Sequence, residues 1–176
     1  MDFAILYGIQ NTLACPPLDA LMAFVTTCGD HGLIWIVVGI VLLISRKTRR
    51  WGITLLVTLG ITWLICEYGV KVLVARPRPF MLDPSHTLLI APPSGFSFPS
   101  GHTLASFLAA TVIAFSPVAR GWKAAAWIVA VLIAFSRLYL FVHFPTDVLA
   151  GAIIGVIAAL IGVYISNRVA SAGTSK

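Results

Sequence analysis

The sequence is short of charge. Only 10% of its 176 residues are Asp, Glu, Lys or Arg, against about 25% in a soluble domain. Hydrophobic residues make up 59%, and the mean hydropathy is +0.98. A soluble globular protein is excluded; the chain is an integral membrane protein. Its three cysteines, Cys15, Cys28 and Cys66, lie in or beside separate apolar segments, so neither a disulfide framework nor a cysteine metal site is expected. The N-terminus lacks the basic start of a secretory signal and carries Asp2 instead. The stretch TLAC (12–15) is a loose match to a lipidation site. An interfacial helix over residues 1–17, stopped by Pro16 and Pro17, is the alternative reading. There is no internal repeat and no long linker, so one domain is expected over residues 18–168, with a cytoplasmic tail at 169–176.

What the chain has is apolar runs. Six segments are legible: Leu18 to Cys28, Leu33 to Ser45, Trp51 to Val74, Leu104 to Phe115, Ala124 to Val142 and Val148 to Ile165. A straight span needs about 20 residues. The third, fifth and sixth reach that, the fourth does if Gly101 to Val118 are counted, and the first two are short. The expectation is an all-α bundle of six transmembrane helices. Arg46, Lys47, Arg49 and Arg50, then Arg120 and Lys123, then Arg168 and Lys176, all fall on one side of such a bundle. By the positive-inside rule that side is cytoplasmic, as Trp51 and Trp122 beside two of the clusters also suggest. Both chain ends are then expected in the cytoplasm.

Four basic residues run against this bias. Lys71, Arg76, Arg78 and Arg137 map to the outer end, where FPSGHT begins the fourth span and where His143 and Asp147 flank a break between the fifth and sixth. Intramembrane ionisable groups point to function, with pairing for stability as the competing reading. In FPSGHT, Ser100 suits a helix N-cap and Gly101 admits close approach to the backbone. The first-turn amides of that helix could hold phosphate oxygens. Pro145 interrupts the helix after His143. Asp147 would then start the sixth span, where it could bond one ring nitrogen of His143 and leave the other free for a substrate.

These residues resemble a known family. KVLVARPRP (Lys71, Arg78), PSGH (Pro99 to His102) and SRLYLFVHFPTD (Ser136, Arg137, His143, Asp147) are similar to the three motifs of the type 2 phosphatidic acid phosphatase, or PAP2, family, complete and in order. The resemblance implies a PAP2-like core and a membrane lipid phosphatase. It implies His143 as nucleophile forming a phosphohistidine, Asp147 as its orienting group, and His102 as acid to the leaving oxygen and then base to water. Lys71, Arg78, Arg137, Ser100 and the Gly101 amide would hold the phosphate. No metal or other cofactor is implied, and Asp83, Glu67 and Asp147 are the only acids expected near the site. The expected partners are the bilayer and a lipid phosphate or diphosphate. Undecaprenyl diphosphate leads, with phosphatidylglycerol phosphate or phosphatidate as alternatives. No nucleic acid is expected. A phosphate-lipid binder or transporter without turnover stays open, and the histidine pair is what speaks against it.

Other residues are read as structural. Glu67 is expected to pair with Lys71 four residues on, and Gly151 and Gly155 to allow close packing within the bundle rather than a dimer face. Asp83 and His86 are expected in a solvated loop, Arg76 at the rim, and His31 without a partner. The apolar loop residues Leu88, Leu89, Ile90 and Phe96 are candidates for a lipid-tail entrance.

Overall fold

The computed structural model describes residues 2–174, and every regular element among them is helical. Lys176, the last basic residue of the expected tail, lies outside the described residues. Helix α1 (Asp2–Leu13) is followed by α2 (Pro16–Gly29) and, after a single 3-10 turn, α3 (Leu33–Ile44). Helix α4 (Arg49–Ile65) runs through a π turn at Cys66–Val70 into α5 (Lys71–Val74). A loop carrying the short α6 (Pro79–Leu82) leads to α7 (Gly101–Phe115), α8 (Arg120–Tyr139) and α9 (Pro145–Thr174). Four stretches, Pro16–Ile44, Arg49–Leu82, Arg120–Tyr139 and Pro145–Ala172, are long and apolar enough to cross a bilayer, and α7 is a shorter apolar helix. A helix is present at each of the six expected positions, with α2 and α3 together forming one apolar stretch. Their outer surface is apolar, with Ile40, Ile53, Val57, Ile61, Ile153, Ile157 and Ile161 all exposed, as lipid contact requires.

Helix α7 is the axis of the bundle. From Thr103 to Ile113 every residue but Phe107 is buried, and the helix touches α2, α3, α4, α8 and α9. Its closest neighbour is α9, because Gly151 and Gly155 let the backbones meet. A Cβ on Gly151 would stand 2.6 Å from the Ser100 carbonyl oxygen, and one on Gly155 would stand 2.5 Å from that of Leu104. The glycine pair is therefore spent inside the bundle. At the opposite end Gly39 and Gly52 similarly seat α3 on α4, a Cβ on Gly52 meeting the Gly39 oxygen at 2.7 Å.

The N-terminal part differs from expectation. Helix α2 begins beside Tyr139, whose hydroxyl donates to Asp19 at 2.5 Å, and ends beside His102, which meets Asp30 at 2.9 Å. Both contacts lie at the end of the bundle where α7 begins and α8 stops, so α2 lies across that end. Helix α1 covers the same end: Leu6 is fully buried against Phe141 and Phe144, and Asp2 bonds Arg76 and Thr146. Helix α9, 30 residues and about 45 Å long, carries its C-terminal end to the other side. Helix α1 and the end of α9 thus lie at opposite ends of the bundle, where six full spans would put them together. Hydropathy marks α2 as apolar but does not say whether it crosses the bilayer or roofs a site.

Replacing Gly155 by leucine would drive α7 from α9, an overpacking cost of about 1–3 kcal/mol. The expected outcome is a lower thermal unfolding midpoint for the purified protein in detergent. An unchanged midpoint would contradict the close packing.

Candidate active site

The residues that carry chemistry meet in one cavity of about 1130 Å³ at this end of the bundle. Lys71, Arg78, Gly101, His102, Arg137 and His143 all line it, together with Asp30, Glu67 and the loop 90–94. They arrive from several elements. Lys71 starts α5, Arg78 caps α6, Gly101 and His102 open α7, and Arg137 sits in the last turn of α8.

The break expected at His143 is there. Helix α8 ends at Tyr139, Phe141 takes a positive φ of 58°, and Pro145 starts α9. The amides of Val142 and His143 both turn back to the Arg137 carbonyl oxygen, at 3.2 and 3.3 Å, which locks nucleophile candidate and arginine together. Ser136 does not reach the cavity; its hydroxyl donates to the Ile133 carbonyl at 2.7 Å.

The hydrogen bonds fix the state of the His143 ring. The Arg78 guanidinium stands 3.1 Å from Nε2, and a guanidinium only donates, so Nε2 accepts. The proton of the neutral ring is then on Nδ1, which lies 3.4 Å from the Ser97 hydroxyl and 3.6 Å from Asp147 Oδ2. Asp147 is fully buried. Its Oδ2 accepts from Ser97 at 2.5 Å and from the Phe144 amide at 2.8 Å, while Oδ1 accepts from Arg76 at 2.6 Å. The Nε2 lone pair of His143 is thus turned to Arg78, and Nδ1 to Ser97 and Asp147.

Charge in the cavity is unbalanced in favour of an anion. Arg137 is 2% exposed, its Nη1 bonds Thr26, and its Nε has no partner among the described residues. Arg78 is nearly as buried and, besides His143, donates to the carbonyl oxygens of Val142, Gly95 and Ser94. Two buried guanidinium groups without a carboxylate of their own among the described residues are costly unless an anion joins them. Lys71 is different, since it pairs with Glu67 at 2.7 Å as expected. Gly101 faces open space, with nothing within 4 Å of where a Cβ would sit. Ser100 is fully buried and absent from the cavity wall; its oxygen caps α7, taking the Thr103 amide at 3.5 Å and the Thr103 hydroxyl at 3.0 Å.

Sequence reasoning misses two of these residues and misjudges a third. Asp30 stands at the cavity beside His102, 72 positions away in the chain, and Ser97 joins His143 to Asp147. Arg76 holds Asp147 from behind. The motif spacings contain no signal for Asp30 or Ser97, because both contacts exist only after the chain folds. Asp83, expected near the site, instead accepts from Tyr7 at 2.6 Å and Ser85 at 2.5 Å, and these bonds hold its carboxyl below the usual range. His86 stacks on Phe141 with ring centroids 4.1 Å apart. Burial there lowers its pKa, so the neutral ring is favoured.

A buried histidine paired with an aspartate, at a cation-lined cavity within an apolar bundle, fits a membrane phosphatase. The chain belongs to the PAP2 superfamily, whose family model matches residues 51–170. It is 36% identical over 168 residues to the undecaprenyl-diphosphatase of Sulfolobus acidocaldarius, covering 92% of this chain and 77% of that protein. Among solved structures, it is similar to Aquifex aeolicus LpxE, with a TM-score of 0.80 at 30% identity over 93% of this chain and 94% of that one. It is also similar to the transmembrane PAP2-type phosphatidylglycerolphosphate phosphatase of Bacillus subtilis. There the TM-score is 0.77 at 29% identity, covering 95% and 85% of the two chains.

Replacing Ser97 by alanine removes one bond to a buried carboxylate, worth about 1.5–3 kcal/mol. If that bond orients His143 in the transition state, kcat should fall by about ten- to a hundredfold, with KM little changed. A parental kcat would contradict the role of Ser97.

Proposed function

We propose that this protein removes the terminal phosphate of undecaprenyl diphosphate at the outer face of the membrane through a phosphohistidine. The observation that carries this reading is the His143 ring, held with Nε2 unprotonated among buried cations. In the first step Nε2 attacks phosphorus in line, the P–O bond to the lipid phosphate breaks, and His102 gives the leaving oxygen its proton. Asp30 accepts from Nε2 of His102 and supports the imidazolium, whose Nδ1 proton is the one transferred. In the second step His102 takes a proton from water, which attacks the phosphohistidine and regenerates His143. Asp147 stabilises the charge that His143 gains while bonded to phosphorus. Arg78, Arg137, Lys71 and the first amides of α7 balance the equatorial oxygens. Ser100 serves that cradle by capping α7 rather than by touching phosphate.

The shape of the cavity supports a lipid substrate. Beyond the cations its wall turns apolar, through Ile36 of α3 and Leu56, Leu59, Gly60 and Trp63 of α4. A prenyl or acyl chain could lie there, along the wall formed by α3 and α4. Of the loop residues considered for a tail entrance, only Ile90 lines the cavity. The name of the Sulfolobus relative favours a polyprenyl diphosphate. The Bacillus structure keeps phosphatidylglycerol phosphate as the second reading. The basic loops at the far end orient the site outward, which sets α1 on the outer side as well.

Purified protein offered undecaprenyl diphosphate, phosphatidylglycerol phosphate, phosphatidate and a soluble phosphoester should release phosphate fastest from the first, equally with and without EDTA. Loss of activity in EDTA, or a preference for the soluble ester, would contradict the reading. For orientation, Thr87→Cys in a chain freed of Cys15, Cys28 and Cys66 should react with an impermeant thiol reagent in intact cells. Labelling only after lysis would invert it.

A further inference from the structure

We infer that Arg76 is a positioning residue for the phosphatase reaction, with Asp2 of α1 as its anchor. Together they hold Asp147, and through it His143, from outside the cavity. This rests on the reading that His143 attacks and Asp147 orients it.

Asp147 is buried and needs a countercharge. His143 does not supply one at rest, because its Nε2 accepts from Arg78 and the ring is neutral. Among the described residues Arg76 is the one permanent cation bonded to Asp147, at 2.6 Å. The same Nη1 reaches the Thr146 hydroxyl at 2.7 Å, and Nη2 reaches Asp2 at 2.8 Å. Thr146 in turn donates to Asp2 at 2.7 Å, which closes the cluster. The guanidinium also lies over the Phe144 ring, 4.0 Å from its centroid, and Phe3 of α1 meets that ring edge-on at 5.3 Å. The backbone contributes as well: the Arg76 carbonyl accepts from the Ser97 amide at 2.8 Å. Both loop contacts to Asp147, the guanidinium and the Ser97 hydroxyl, are thus set by one residue.

Arg76 is absent from the wall of the cavity where Arg78 and Arg137 stand. It lines a separate recess with Asp2, Phe3 and Phe144. A residue in that position acts on turnover and not on binding, which separates it from the phosphate-holding arginines. Helix α1 gains a role from the same contacts. It clamps the back of the site, so its docking sets the geometry of the nucleophile.

The test uses the full chain with undecaprenyl diphosphate, measuring kcat and KM for Arg76→Ala, Arg76→Lys, Asp2→Asn and the Asp2→Asn/Arg76→Ala pair, with His143→Ala as reference. Arg76→Ala should lose about a hundredfold in kcat, the scale of a lost charge-assisted bond, while KM moves by less than about threefold. Arg76→Lys should recover part of the loss. Asp2→Asn should cost a few-fold in the parent and nothing further in Arg76→Ala, as expected of a residue acting through another. The inference is overturned by a near-parental kcat in Arg76→Ala, by a rise in KM that accounts for the loss, or by additive effects in the pair. If Arg76→Ala does not fold, Arg76→Lys and Asp2→Asn decide: parental kcat in both overturns it. Activity surviving in His143→Ala would instead sink the site reading on which it depends.

Discussion

One buried carboxylate organises the end of this protein where the cavity lies. Asp147 sits in the first turn of α9 with no exposed surface, and each of its contacts ties down a different segment. The Phe144 amide closes the turn between α8 and α9, Ser97 brings in the end of the long loop, and Arg76 brings in its beginning. Its own carbonyl accepts the Ser100 amide at 3.1 Å, fixing the start of α7. An ionised group held away from water must have such partners. The segments that carry His143, His102 and Arg78 are therefore brought to register by this one group.

Around that hub the charges divide by neighbour. Lys71 has Glu67, and Arg76 has Asp147 and Asp2. Arg78 and Arg137 have only neutral acceptors among the described residues, and they face the cavity. A phosphate entering there completes an arrangement that is electrostatically unfinished without it. The apolar part of the cavity is walled by α3 and α4.

Much of this was legible in the sequence, and the reason is local. Lys71 and Arg78, Pro99 to His102, and Arg137 to Asp147 occupy short windows in which spacing alone sets geometry. Pro145 announces the break that aims His143, and Gly151 with Gly155 announces the closest helix contact. Asp30, Ser97 and the pairing of Arg76 were not legible, since they depend on contacts across 46 to 74 positions. The place of α2 was hidden for another reason. Its apolar face reads the same whether it meets lipid or packs on Tyr139, Leu140 and Val142.

The most direct test of the account is to trap the intermediate. Protein mixed with undecaprenyl diphosphate labelled in the terminal phosphate, quenched within one turnover under alkaline conditions and digested, should carry an acid-labile label on the peptide containing His143. Complete turnover with no labelled peptide, or label on any other residue, would contradict it.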